Sequence, residues 1–132
     1  MIPQDLKYTS DHEWVRVTED NVAVVGITDF AQEQLGDIVF VEVPEVGKLY
    51  SQGESLGTVE SVKTVSDMYA PVSGEVIEVN PCLCEDNDEF TPEIINQEPF
   101  GKGWIARIKM SNPADLDNLL DAAAYKKITE DA

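Results

Sequence analysis

Gly57-Thr58-Val59-Glu60-Ser61-Val62-Lys63-Thr64-Val65-Ser66-Asp67 is the run on which the fold turns. It reads as two β-rich segments, 58–62 and 65–69, that meet at Lys63. Cations are scarce in this chain, nine Lys and Arg against 26 Asp and Glu, so a lysine at a strand junction stands out. A hairpin tip presents a side chain to a modifying enzyme. No Gly or Asn flanks Lys63, so the usual demand of a tight two-residue turn for left-handed backbone does not explain the residues chosen here.

Outward from the hairpin, short strands recur every eight to twelve residues between Gly and Pro. Upstream, Trp14-Val15-Arg16-Val17 alternates apolar and polar, as a half-buried strand does. Glu19-Asp20-Asn21 is a turn, and 22–27 is a more fully buried strand. Thr28 is placed to cap a short helix over 29–35, with Asp29 in its first turn and Gly36 at its end. Strands follow over 37–43 and 48–50. Downstream, Pro71 ends the pairing of 65–69, and 74–79 alternates cleanly. Segment 82–91 is acidic and irregular, an expected exposed loop, and 92–97 suits a helical turn. Segment 103–110 is the last strand. Asn112 with Pro113 then opens a helical tail that carries Leu116, Leu119 and Leu120 on its apolar face and continues over 121–128. The expected fold is mainly β, a flattened β-sandwich or hybrid barrel. It forms one domain over 1–132, with its β-core in about 12–110 and a C-terminal helical segment in about 112–130. A faint internal echo relates Gly36–Val39 to Gly74–Ile77 and Gly57–Val59 to Gly103–Ile105, with Lys63 between the two halves.

Composition narrows the function. A formal net charge of −17 opposes binding to nucleic acid or anionic lipid and suits partners with basic docking surfaces. No apolar stretch is long enough to span a membrane. The opening Met1-Ile2-Pro3-Gln4-Asp5-Leu6-Lys7 is neither a secretory signal nor an Arg-rich import leader. A bacterial cytoplasmic protein is expected, or the trimmed form of a mitochondrial one, and a monomer. Cys82 and Cys84 are too close to bridge without strain and read as a reduced pair. His12 is the lone histidine and lies far from them, which argues against zinc.

Catalytic constellations are missing. Any Ser-His-Asp or Cys-His arrangement would have to use His12, there is no Gly-x-Ser-x-Gly elbow, and the glycines are too dispersed for a phosphate loop. Lys63 is a poor nucleophile in its own right: a surface lysine is protonated at neutral pH, and Glu60 and Asp67 favour that charge. Its uses are those of an inert solvated cation or of an attachment point for an acyl group.

Resemblance decides between these. Glu60-Ser61-Val62-Lys63-Thr64-Val65-Ser66-Asp67 followed by Pro71-Val72-Ser73-Gly74-Glu75-Val76 resembles the lipoyl-lysine segment of the glycine cleavage system H proteins. Tyr8 with His12-Glu13-Trp14-Val15 is similar to that family's opening. Val25-Gly26-Ile27-Thr28-Asp29-Phe30-Ala31-Gln32 and Leu35-Gly36-Asp37-Ile38-Val39 follow in its order, and Gly103-Trp104 with Leu119-Leu120-Asp121-Ala122 and Tyr125 matches its end. Biotinyl carriers flank their lysine with methionines, whereas here the neighbours are Val62 and Thr64. Lipoyl domains of 2-oxo acid dehydrogenases commonly show Asp-Lys-Ala, and lack the Trp14 region and the C-terminal helices.

The resemblance implies lipoic acid in amide linkage to Lys63 and a carrier rather than an enzyme. It implies four kinds of partner: a lipoate-attaching enzyme, a pyridoxal-phosphate glycine decarboxylase, a tetrahydrofolate-dependent aminomethyltransferase and a flavin-dependent dihydrolipoyl dehydrogenase. The carried aminomethyl group would be sheltered in a cleft, and Glu13 and Asp67 are the candidates for holding its ammonium end. His12 reads as a packing or docking residue, and Trp14 and Trp104 as core. Thr64, Gln34 and a long 81–91 segment depart from the family's pattern. The alternatives are an H-like lipoyl donor for other enzymes and an unmodified interaction module of the same fold.

Overall fold

The computed structural model describes residues 2–130; Met1 and residues 131–132, which the expected domain includes, lie outside them. Among the described residues nine strands form two antiparallel sheets. They are β1 (Lys7–Tyr8), β2 (Glu13–Val17), β3 (Val22–Ile27), β4 (Ile38–Glu42), β5 (Leu49–Tyr50), β6 (Ser55–Ser61), β7 (Val65–Tyr69), β8 (Gly74–Val79) and β9 (Ala106–Met110). The larger sheet runs β1-β2-β3-β9-β8-β5 and the smaller β4-β6-β7. Val25, Val76 and Ile108 of the first meet Val41, Val59 and Met68 of the second in one apolar core. This is the flattened sandwich that the spacing of strands predicts.

Helices α1 (Asp29–Leu35), α2 (Ile94–Gln97) and α3 (Ala122–Glu130) decorate the sheets. Thr28 caps α1 by accepting from the Ala31 N–H, and Gly36 ends it at φ +83°, a conformation that disfavours any residue with a Cβ. Asn112 opens a 3-10 turn over Pro113–Asn118, so the tail starts with 3-10 geometry before α3.

The structure differs from the sequence reading at four places. Trp14 and Val15 are both buried, so β2 does not alternate at its start. A second apolar cluster explains this: Trp14, Val24, Leu6 and Tyr8 pack against Ala122 and Tyr125 of α3, which covers the outer face of the large sheet. Gly26 sits opposite Trp14, and a Cβ there would lie 2.7 Å from the indole. Trp104 is only partly buried, with the Arg107 guanidinium 4.8 Å over its ring. The 82–91 loop is anchored, because Leu83 is fully buried in the core. The last strand begins at Ala106 rather than at residue 103, since Asn80 Nδ2 donates to the carbonyls of Lys102 and Trp104 and holds that approach as a loop. The internal echo has only a partial counterpart: Ile38–Val39 lie in β4 and Gly74–Ile77 in β8, but Gly57–Val59 lie in β6 whereas Gly103–Ile105 precede β9.

Candidate functional site

Lys63 stands at the tip between β6 and β7, and residues 62–67 are exposed throughout. Ser61 builds the turn. Its Oγ accepts from the N–H groups of Lys63 (3.2 Å) and Thr64 (3.1 Å), while the Ser61 N–H donates to the Thr64 carbonyl at 2.8 Å. Val62 N–H donates to the Asp37 carbonyl. Every backbone N–H from 61 to 64 thus has a partner, and no non-glycine residue of the turn has positive φ. A serine side chain supplies what Asn-Gly supplies elsewhere. That explains the missing glycine, and a serine two residues before the lysine was the signal for it.

The lysine stem does not point away from the protein. It lies over Gly36, where an added Cβ would come within 2.9 Å of Lys63 Cε. Asn96 of α2 fixes this platform: its Nδ2 donates to the Gly36 carbonyl (2.9 Å) and to Gln32 Oε1 (2.8 Å), and its Oδ1 accepts from the Ile38 N–H (2.9 Å). Sequence reasoning took Gly36 only as a helix end and did not find Asn96, which is far from it along the chain.

Beside α1 lies a groove of about 130 Å³. Ala31, Gln34 and Leu35 line it from α1, Ser66, Asp67 and Met68 from β7, Ile27 and Val59 from β3 and β6, and His12 and Glu13 from the start of β2. Both sequence candidates, Glu13 and Asp67, therefore line the same cleft. Their settings differ. Asp67 is exposed. Glu13 is only 4 % exposed, with Oε1 accepting from Thr9 Oγ1 (2.8 Å) and Oε2 from the Tyr69 N–H (3.0 Å). Burial outweighs those two hydrogen bonds and pushes the Glu13 carboxyl up to about 7, so near neutrality it exists in both ionisation states. His12 is pushed down by burial, against an opposing pull from Asp11. It packs at 4.7 Å against Phe30 and bonds to Tyr125, as a packing residue should. Cys82 and Cys84 are free thiols outside the groove, and burial raises the Cys84 thiol. Among the described residues no group of three or more His, Cys, Asp or Glu side chains is arranged to hold a metal, and no helix is long and apolar enough to cross a membrane.

An acyl group on Lys63 fits these surroundings. Lys63 is exposed, its stem rests over Gly36 next to the α1 residues that line the groove, and the groove combines apolar walls with the Glu13 and Asp67 carboxyls. A lysine stem extended by a lipoyl chain reaches on the order of 14 Å, while α1, with seven residues, is about 10 Å long. The end of such an arm can reach Asp67 and the Glu13 end of the groove.

A β-sandwich that offers a lysine on a serine-built hairpin beside a groove has the architecture expected of a carrier domain. Comparison with known proteins gives the family. The family profile described as "Glycine cleavage H-protein" matches residues 6–132. A glycine cleavage system H protein of Symbiobacterium thermophilum is 60 % identical over 130 residues, covering 98 % of this chain and 97 % of that protein. One from Bacteroides fragilis is 56 % identical, covering 96 % and 95 %. The crystal structure of a glycine cleavage system H protein from Mycobacterium marinum superposes with a TM-score of 0.82 at 44 % identity, covering 96 % of this chain and 97 % of that one. The chain belongs to the glycine cleavage H-protein family.

Proposed function

We propose that this chain, acting as one unit over residues 1–132, is the lipoyl carrier of a glycine cleavage system, with lipoic acid amide-linked to Lys63. The observation that carries the reading is the Lys63 stem resting over Gly36, next in the chain to Leu35, which with Ser66 and Asp67 lines a groove that also takes in Glu13. Attached there, lipoic acid would supply a disulfide able to accept an aminomethyl group as the carboxyl of glycine leaves as carbon dioxide, and, once that group has been passed on, a dithiol that a partner would reoxidise.

The protein's part is placement. The Ser61 turn fixes where the arm starts, and Gly36 with Asn96 aims it along α1. The apolar walls keep water from the arm, and Glu13 with Asp67 receives an ammonium at its end. A cation entering the groove favours the ionised form of Glu13, so its arrival expels the proton that burial had retained. No residue of the chain is assigned a bond-making step, and the hard chemistry is left to partners. These are a glycine decarboxylase, an aminomethyltransferase, a dihydrolipoyl dehydrogenase and a lipoate-attaching enzyme, met in turn by a monomer in a bacterial cytoplasm. Charge complementarity between an acidic carrier and basic docking surfaces favours fast encounter and quick release.

The test is lipoylation in vitro by a lipoate-attaching enzyme, followed by loading from glycine. Wild type is expected to gain one lipoyl group on Lys63 and to support glycine cleavage. Lys63→Arg keeps the charge without an acylatable amine, so it should fold normally and do neither. Glycine cleavage by the arginine variant would refute the assignment.

A further inference from the structure

One buried hydroxyl joins the start of β2 to the N-cap of α1, two elements that both send residues to the groove. Tyr125 of α3 is fully buried, and its ring stacks on Tyr8 with centroids 4.7 Å apart and planes 9° from parallel. Packing alone would be served by phenylalanine. The hydroxyl instead lies 2.8 Å from His12 Nδ1 and 2.7 Å from Thr28 Oγ1. His12 precedes Glu13 in the chain, and Thr28 is the N-cap of α1, the helix that forms the opposite wall. A buried hydroxyl needs its partners, and here they come from two different walls.

Thr28 Oγ1 accepts from the Ala31 N–H and keeps a hydrogen and a second lone pair for the Tyr125 hydroxyl. The three groups are satisfied in either direction: Thr28 donating to Tyr125 and Tyr125 to His12 Nδ1, or an Nδ1–H tautomer of His12 donating to Tyr125 and Tyr125 to Thr28. Burial, which lowers the His12 pKa, favours a neutral ring.

His12 itself has φ +70°, a left-handed conformation uncommon outside glycine that persists only where surroundings impose it. They do so here. His12 N–H donates to the Thr9 carbonyl (3.1 Å), the His12 carbonyl accepts from the Thr28 N–H (2.9 Å), and the ring is held by Phe30 and Tyr125. This backbone turn is what directs the next side chain, Glu13, inward between the Thr9 hydroxyl and the Tyr69 N–H.

We propose that Tyr125 is a positioning residue of the arm groove: its hydroxyl ties the His12–Glu13 corner to the N-cap of α1 and thereby holds the Glu13 carboxyl in the groove lining. The C-terminal helix thus takes part in the carrier's function without touching the arm. The proposal rests on the arm-groove reading for its purpose, but the positioning itself can be measured without an arm.

The experiment follows the carboxyl carbon of Glu13 by NMR through a pH titration of the unmodified full-length protein, with Glu13→Gln used to assign the signal. Tyr125→Phe keeps the ring and its stack on Tyr8 and removes only the hydroxyl. If Tyr125 positions Glu13, the variant lets water reach the carboxyl, and its midpoint falls from near 7 by about one pH unit, a tenfold change in ionisation at a given pH. A folded Tyr125→Phe protein with lowered thermal stability and an unmoved Glu13 midpoint would overturn the proposal, because a purely structural tyrosine predicts that pattern. Should Tyr125→Phe not fold, Thr28→Val breaks the same link from the other wall and is read in the same way. Loss of the carried group to water from loaded protein separates the two ideas. If Glu13→Gln leaves that rate unchanged, the arm-groove reading falls, while a shifted Glu13 midpoint in Tyr125→Phe still upholds the positioning role.

Discussion

Glu13 is where the structure makes its most quantitative demand on a single residue. Its carboxyl stands at about 7 in the fold against an ordinary 4.5, with burial as the main cause. Below about pH 4.5 it is neutral whether the chain is folded or not, and its burial costs little. As pH rises towards 7 the unfolded chain ionises first, so the folded state holds the extra proton and loses stability relative to the unfolded state. Above about 7 the loss is complete and on the order of 3 kcal/mol. Wild type minus Glu13→Gln, measured by urea unfolding, should therefore fall by a few kcal/mol between pH 4.5 and 7. Parallel curves for the two proteins would contradict the buried, unpaired setting of this carboxyl. Lys63, Glu13 and Asp67 could be singled out from the sequence because each lies within a short motif that carries the resemblance, and the structure brings Glu13 and Asp67 to one groove. Tyr125 and His12 were not legible as a pair, since 113 residues separate them and nothing local announces a bond between them. Thr9 went unnoticed for a different reason: one hydroxyl that serves the N–H and the carboxyl of a residue four positions on has no distinctive pattern.

At the scale of elements, the hairpin and its neighbours carry two further expectations. Ser61→Ala removes the acceptor shared by two turn N–H groups and should cost about 1 kcal/mol. Its more telling sign is faster hydrogen exchange at Lys63 and Thr64, and slower lipoylation as the lysine loses its fixed presentation; unchanged exchange would mean that the turn is set by other contacts. Gly57 lies where β6 shifts register against β7, and a Cβ there would press into the Glu42 backbone carbonyl of β4. Backbone cannot step aside as a side chain can, so Gly57→Ala should destabilise by about 1–3 kcal/mol or more, read as a lower urea midpoint. An unaffected midpoint would show that the strands can part there at no cost. β7 and β8 could be bounded from sequence to the residue because Pro71 and Gly74 punctuate them. β1 could not: two residues pair only because β2 and Leu120 lie on either side. The alternation in β2 misled because a sheet covered on both faces has no solvent side, and the covering helix is remote in sequence.

For the molecule as a whole, charge is the dominant fact. The net charge is −17, and the salt bridges among the described residues are Arg107–Glu78 at 2.9 Å and Lys126–Glu130 at 3.8 Å, both with exposed partners that contribute little. Carboxylates repel one another across most of the surface, and salt screens that repulsion. Raising ionic strength from about 0.02 M to about 0.5 M should thus raise the thermal midpoint by a few degrees, whereas a fall would mean that attractive pairs dominate. The sandwich class was legible from strand length and spacing. The second apolar layer, which fastens both chain ends to the outer face of the large sheet, was legible only as a tail expected to pack somewhere.

Whether Lys63 is a tether shows in the intact mass of the chain purified from the cells that make it, with fragmentation to place any added group. A tether requires a population carrying one lipoyl group, located on Lys63 and absent from Lys63→Arg. A chain whose Lys63 stays unmodified in cells that lipoylate their other carriers would contradict it.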